Sequence, residues 1–159
     1  MVALCFFFTP LHAQYKEAEI GINGLTCSQC SRSVELRIRK LAFVKDVQMN
    51  LEHTEGRVFF KEGEKVEIGK IASAVKDAGF SVRYLKAVYH FGNETVSKDK
   101  CLDLSGDHYT FVRSKEQSLT GDVPMTFLGE KFQEKKEFRK WQSYLKSNCA
   151  GGYTYFVTL

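Results

Sequence analysis

For residues 18–84 the sequence predicts an α+β fold of the split βαβ kind, in the order strand, helix, strand, strand, helix, strand. Three observations predict it. Short segments with strand-like apolar spacing alternate with segments whose apolar residues recur at helical spacing. Glycines stand where elements must end, at Gly24 and Gly79. The whole alternation fits within about 70 residues, which this architecture needs.

Each element has its own justification. "EAEIGING" alternates apolar and polar residues and stops at Gly24, as a strand entering a turn does. "SRSVELRIRKLAFV" carries Val34, Ile38 and Leu41 at i, i+4 and i+7 with charges between them, so a helix follows. "VKDVQMNLE" and "GRVFFKE" are short strands on either side of the turn-rich "EHTEG". "KVEIGKIASAVKDAG" places Ile68, Ile71, Ala72, Val75 and Ala78 on one face before Gly79 stops the helix, and "FSVRYL" is the last strand.

Beyond residue 86 the character changes. Aromatics become dense and turn signals ("FGNE", "LSGD", "LTGD") separate short β-like runs, so residues 86–159 are expected to form a second, mainly β domain of about five strands. A small barrel of the oligonucleotide/oligosaccharide-binding (OB) kind is one arrangement for it. One helix is expected there, over "EKKEFRKWQSYLKS", with Phe138, Trp141 and Leu145 on one face. The aromatics alternate as strand faces do, which fits core and sheet pairing better than a ligand platform.

Composition narrows the function. With 43% hydrophobic and 26% charged residues over 159 positions, the chain is an ordinary globular protein and not a disordered one. A formal charge of +4 is small, and the densest basic run, "EKKEFRKW", is interleaved with acids, so no nucleic-acid partner is expected. No apolar run reaches 18 residues, so no membrane-spanning helix is expected. "MVALCFFFTPLHAQ" has the apolar stretch and small-residue exit of a secretory leader, although it lacks the usual basic start. Residues 1–14 are accordingly expected to be a signal peptide cut after Ala13, making the protein periplasmic or secreted. Residues 15–85 are then the first domain.

Four cysteines remain after such a cut: Cys27, Cys30, Cys101 and Cys149. Cys27 and Cys30 fall in the first strand-to-helix loop and at the helix start, where unpaired N–H groups and the helix dipole favour thiolate over thiol. Gly24 lets the loop turn tightly, Thr26 or Ser28 can cap the helix through a side-chain oxygen, and Arg32 adds positive charge. Two soft sulfurs converging on an exposed loop suit a soft ion, above all Cu(I). A closed structural zinc site would want four ligands, and neither the other cysteines nor His53, His90 and His108 stand at a spacing that supplies them.

In this ordered setting "INGLTCSQCSRSVELRIRKLAFVKDVQMNLEHTEGRVFF", followed by "IASAVKDAGF", resembles the heavy-metal-associated domain shared by copper chaperones and metal-pumping P-type ATPases. The resemblance covers residues 18 to about 84, with Leu25 standing where the family usually has Met. It implies a ferredoxin-like fold and a metal site at Cys27 and Cys30 for Cu(I) or, less often, Zn(II), Cd(II) or Hg(II). It also implies that Phe80 lies near the loop, shaping and partly shielding it, and that a metal-transporting protein or other metal acceptor is the partner.

Outside a reducing cytosol the pair can instead close as a local disulfide, which abolishes Cu(I) binding until it is reduced. Two other readings stay open. A thiol–disulfide redox module shares the Cys-x-x-Cys arrangement, but here Leu25 and Thr26 replace the aromatic that usually precedes the first cysteine, and Pro124 lies in the other half of the chain. A non-catalytic interaction domain could retain the cysteines incidentally. Cys101 and Cys149 are expected to form a disulfide rather than a second metal site, which would stabilise the fold by about 4 kcal/mol through loop closure. His53 is expected to be exposed, and His90 and His108 to lie in strands without ligand-spaced partners. No nucleophile with its base, carboxylate pair or phosphate loop is visible, so no enzyme is expected.

Overall fold

A computed structural model describes residues 14–159 other than 99 and 148. Apart from Gln14, the expected leader, with Cys5, lies outside the described residues. The elements run β1 (Tyr15–Asn23), α1 (Ser28–Arg39), β2 (Val44–Asn50), β3 (Glu55–Phe60), α2 (Ile68–Asp77), β4 (Ser81–Val96), β5 (Cys101–Leu104), β6 (Asp107–Phe111), β7 (Gln117–Leu128), α3 (Lys135–Trp141) and β8 (Thr154–Thr158). A single 3-10 turn, Gln142–Tyr144, follows α3.

The first six elements form the ferredoxin-like βαββαβ unit. Their strands lie in the order β2-β3-β1-β4, and every pairing among them is antiparallel. The helical faces read from the sequence are the buried ones. Val34 and Ile38 of α1 and Ile68, Ile71, Ala72 and Val75 of α2 are almost wholly removed from water, while Leu41 and Ala78 pack at the margin of the same core. Each such Ile or Val stabilises the fold by about 1.5–3 kcal/mol relative to exposure. Leu25 is buried as well, so the position before Thr26 anchors the loop to the core.

The C-terminal half is β-rich, but its strands do not close a barrel among themselves. They continue the same sheet in the order β4-β7-β8-β6-β5, leaving β2 and β5 as its two edges. The cause lies in β4, which runs far past the expected end of "FSVRYL" to Val96. Its residues 81–89 pair with β1 and its residues 86–96 pair with β7, so the expected boundary between residues 85 and 86 falls inside one strand. β8 pairs antiparallel with β7 and parallel with β6. The predicted C-terminal helix is shorter than expected. It stops at Trp141, and Phe138, Trp141 and Leu145 are only half-buried.

An aromatic group ties the two parts of the sheet together. Tyr15, at the start of β1, stacks edge-on against Tyr89 at 4.9 Å and Phe60 at 6.3 Å, and its hydroxyl hydrogen-bonds that of Tyr109 on β6 at 2.6 Å. Tyr155 on β8 packs edge-on against Phe127 and accepts from the Gly69 N–H of α2 at 3.4 Å. Tyr89, Phe91, Tyr109, Phe111, Phe127, Phe132 and Tyr155 are thus core residues, whereas Tyr144 and Tyr153 are exposed.

Two outcomes follow for the tyrosines. Tyr15→Phe leaves the Tyr109 hydroxyl buried without its partner and is expected to cost about 1–3 kcal/mol, whereas the double change with Tyr109→Phe removes both hydroxyls and is expected to cost less. Denaturant titration of the four proteins of this cycle measures the difference. Burial also raises the phenol pKa values, pushing Tyr155 up to about 12 and holding Tyr15 and Tyr109 well above the usual range. A phenol whose folded value exceeds its unfolded value of about 10 stabilises the fold below that pH, and the stabilisation is lost as pH rises through the folded value. Stability is expected to fall from about pH 10 to about pH 12 through Tyr155, and less steeply in Tyr155→Phe, as denaturation at a series of alkaline pH values would show.

Candidate metal site

The loop between β1 and α1 is built by one glycine and one cysteine. Gly24 adopts φ +84°, in the left-handed region that an L side chain enters only at a cost of about 1–2 kcal/mol. The chain then folds back so that the Thr26 N–H donates to the Gly24 carbonyl at 3.0 Å. Helix α1 starts immediately afterwards. Its N-cap is Cys27, in extended geometry (φ −142°, ψ 158°), and Cys27 Sγ accepts the Cys30 N–H at 3.1 Å.

The cap expected from an oxygen of Thr26 or Ser28 is therefore supplied by sulfur. The physical reason is position: only the residue immediately before the first helical turn can turn its side chain onto the N–H three residues on. The chemical consequence is larger than the structural one. The atom capping the helix is also the candidate ligand, and after reduction an N–H aimed at it, backed by the helix dipole, would favour its anionic form. Thr26 and Gly24 are exposed and shape the loop.

Cys27 is exposed and Cys30 half-buried against the core margin. Their Cα atoms are 5.2 Å apart and the two sulfurs are bonded to each other. Phe80 reaches this loop from the other helix. Gly79, at φ +91°, ends α2 with its N–H donating to the Lys76 carbonyl at 2.9 Å, and the turn directs Phe80 toward Gly24. A Cβ on Gly24 would lie 3.6 Å from the Phe80 ring, so the half-buried ring covers one side of the loop.

The remaining candidates are placed elsewhere. His53 is exposed in the β2–β3 turn. His90 Nδ1 pairs with Asp122 Oδ1 across β4 and β7 at 2.6 Å. Cys101 and Cys149 are joined as a disulfide, with Cα atoms 5.1 Å apart. His108 differs from expectation: its ring lies in one cluster with Cys101 and Cys149, their ligand atoms all within 4.8 Å of one another. Sequence spacing could not show this, because the grouping depends on β5–β6 register and on the loop before β8. Among the described residues, no helix is long and apolar enough to cross a membrane.

The part of the chain around the first pair is similar to known proteins. The sequence model of the heavy-metal-associated domain matches residues 19–81. Copper-transporting ATPase 1 of Rhizobium meliloti (strain 1021) is 42% identical over 69 residues, covering 43% of this chain and only 8% of the ATPase. Copper chaperone CopZ of Bacillus subtilis (strain 168) is 31% identical over 67 residues, covering 42% of this chain and 96% of CopZ. The mercuric transport protein periplasmic component of Pseudomonas fluorescens is 30% identical over 79 residues, covering 50% of this chain and 86% of that protein. None of these matches accounts for the C-terminal half. With the βαββαβ order and the Cys-x-x-Cys loop at the head of α1, they show that this chain belongs, through residues 19–81, to the heavy-metal-associated domain family.

Proposed function

We propose that this protein binds Cu(I) through Cys27 and Cys30 and hands it to a metal acceptor, acting in the periplasm or after secretion. The observation that carries this reading is the coincidence of ligand and helix cap at Cys27. A sulfur that accepts the Cys30 N–H at the start of α1 is poised to bind as thiolate, on an exposed loop where an acceptor can reach it.

Two thiolates form an open site. An incoming thiolate from an acceptor can add to the ion before either cysteine leaves, so the metal need never be free. Phe80 limits access from one side and directs exchange to the other. Among the relatives, a copper-transporting ATPase, a copper chaperone and a mercuric transport component all support a soft ion as cargo. The thiolate pair also suits Hg(II), Zn(II) and Cd(II) by the same chemistry. A periplasmic setting is supported by the leader-like residues 1–14 and by the periplasmic relative. In that setting the Cys27–Cys30 disulfide is the resting form, and reduction precedes loading.

Anaerobic Cu(I) titration of the reduced protein against a competing chelator tests the reading. Cys27→Ser with Cys30→Ser is expected to remove one Cu(I) equivalent per chain, and unchanged stoichiometry would refute it. The oxidised protein is expected to load no Cu(I) at this loop. Phe80→Ala is expected to weaken retention against the chelator on the order of 10-fold by opening the shielded side.

A further inference from the structure

We infer that Cys101, His108 and Cys149 form a second, redox-gated metal site, closed as a disulfide and able, once reduced, to hold one thiophilic d10 ion through two thiolates and an imidazole. It goes beyond the Cys27/Cys30 reading and uses none of its residues.

Sheet register builds the site. On the antiparallel β5–β6 pair, Cys101 stands opposite Thr110 and Asp103 opposite His108, so Cys101 and His108 are diagonal neighbours on one face. That face is the one away from Tyr109 and Phe111, which point into the core. Cys149 is delivered onto it by the segment before β8. Its N–H donates to Ser147 Oγ at 3.0 Å, Ser147 Oγ pairs with Thr154 Oγ1 at 3.1 Å, and Thr154 stands beside His108 in the parallel β6–β8 register. Thr110 Oγ1 lies 3.9 Å from Cys149 Sγ. Gly152, at φ +71°, passes close to the ring: a Cβ there would lie 3.2 Å from His108 Cδ2 and in a strained backbone region.

The ligand atoms of the three residues lie within 4.8 Å of one another, and all three residues are half-buried. An ion with ligands at about 2.3 Å from sulfur and about 2.0 Å from nitrogen wants them roughly 4 Å apart, a separation that small side-chain rotations reach once the S–S bond is open. Asp103 Oδ2 stands 3.8 Å from His108 Nδ1, close enough for a carboxylate to interact electrostatically with the imidazole. Two thiolates and one imidazole select Cu(I) or Zn(II) over hard cations. β6 meets β1 at its Tyr15 end, whereas Cys27 and Cys30 follow its Asn23 end, eight residues or about 26 Å along the strand, and each pair is joined within itself, so the two cysteine pairs are separate sites.

Opening the site is a two-electron reduction. A dithiol reductant attacks one sulfur, the Cys101–Cys149 bond breaks, each sulfur gains a proton, and the reductant leaves as its own disulfide. Metal binding then releases the two thiol protons.

The test uses Cys27→Ser/Cys30→Ser protein, which removes the first site. Reduced with a phosphine and titrated anaerobically with Cu(I) against a competing chelator, it is expected to take up one Cu(I) per chain, while the unreduced protein takes up none. Adding His108→Ala is expected to weaken that binding by about 10–100-fold, because a bare dithiol pair remains. If reduction alone unfolds the chain, Cu(I) is expected to restore the native far-ultraviolet circular dichroism, and His108→Ala to prevent the recovery. Absence of uptake, equal affinity with and without His108, or failure to restore structure would each overturn the inference. All three outcomes leave Cys27 and Cys30 untouched, since their contribution is the equivalent lost between reduced wild type and this double variant.

Discussion

Both halves of the molecule depend on the hydrogen-bonding capacity of one strand, β4. Its first part completes the βαββαβ unit by pairing with β1, and its second part carries β7, on which β8, β6 and β5 follow in turn. A strand has only two edges, and β4 spends one on each half. The arrangement leaves no exposed edge where the family domain would otherwise end, because the edge that would face solvent is covered by β7. Tyr15 adds a side-chain counterpart, standing on β1 yet bonded to Tyr109 on β6. Packing of the heavy-metal-associated part and folding of the C-terminal part are therefore physically coupled.

The chemistry of the molecule is set by two pairs of sulfurs with different surroundings. Cys27 and Cys30 sit at a helix start, where backbone N–H groups would stabilise a thiolate once the S–S bond is reduced, and solvent reaches the loop. Cys101 and Cys149 sit at the far edge of the sheet, on a strand and a polar loop, beside an imidazole. The first environment favours exchange with an incoming ligand. The second encloses its sulfurs more fully and supplies a third donor, which favours retention. In both, a metal could be held through the two sulfurs only after the S–S bond had been opened.

The elements of the first half were legible because each carries its own period. Val34 and Ile38, or Ile68, Ile71 and Val75, announce a buried helical stripe whatever surrounds them, and Gly24 and Gly79 mark turns that need positive φ. The Cys-x-x-Cys loop was legible for the same reason, since its two cysteines lie within one local segment. The cap was misassigned because side-chain oxygen acceptors are the commoner helix caps, and nothing local signals that a sulfur will take the position. His108 was set aside because its partners lie 7 residues before it and 41 residues after it, and no sequence spacing encodes a face shared across strands.

By itself, then, the sequence determined the βαββαβ order, the buried faces of α1 and α2, the position of the Cys27–Cys30 loop and the β-rich character of the second half, all consequences of short-range periodicity and turn chemistry. Tertiary structure alone decided that β4 continues through residue 96, that the later strands extend an open sheet instead of closing a barrel, and that Cys101, His108 and Cys149 meet. The physical reason is shared by all three. Strand pairing, register and the return of β8 alongside β6 are contacts between segments distant in the chain, and their free energy is distributed over the whole core rather than written in any one stretch of it.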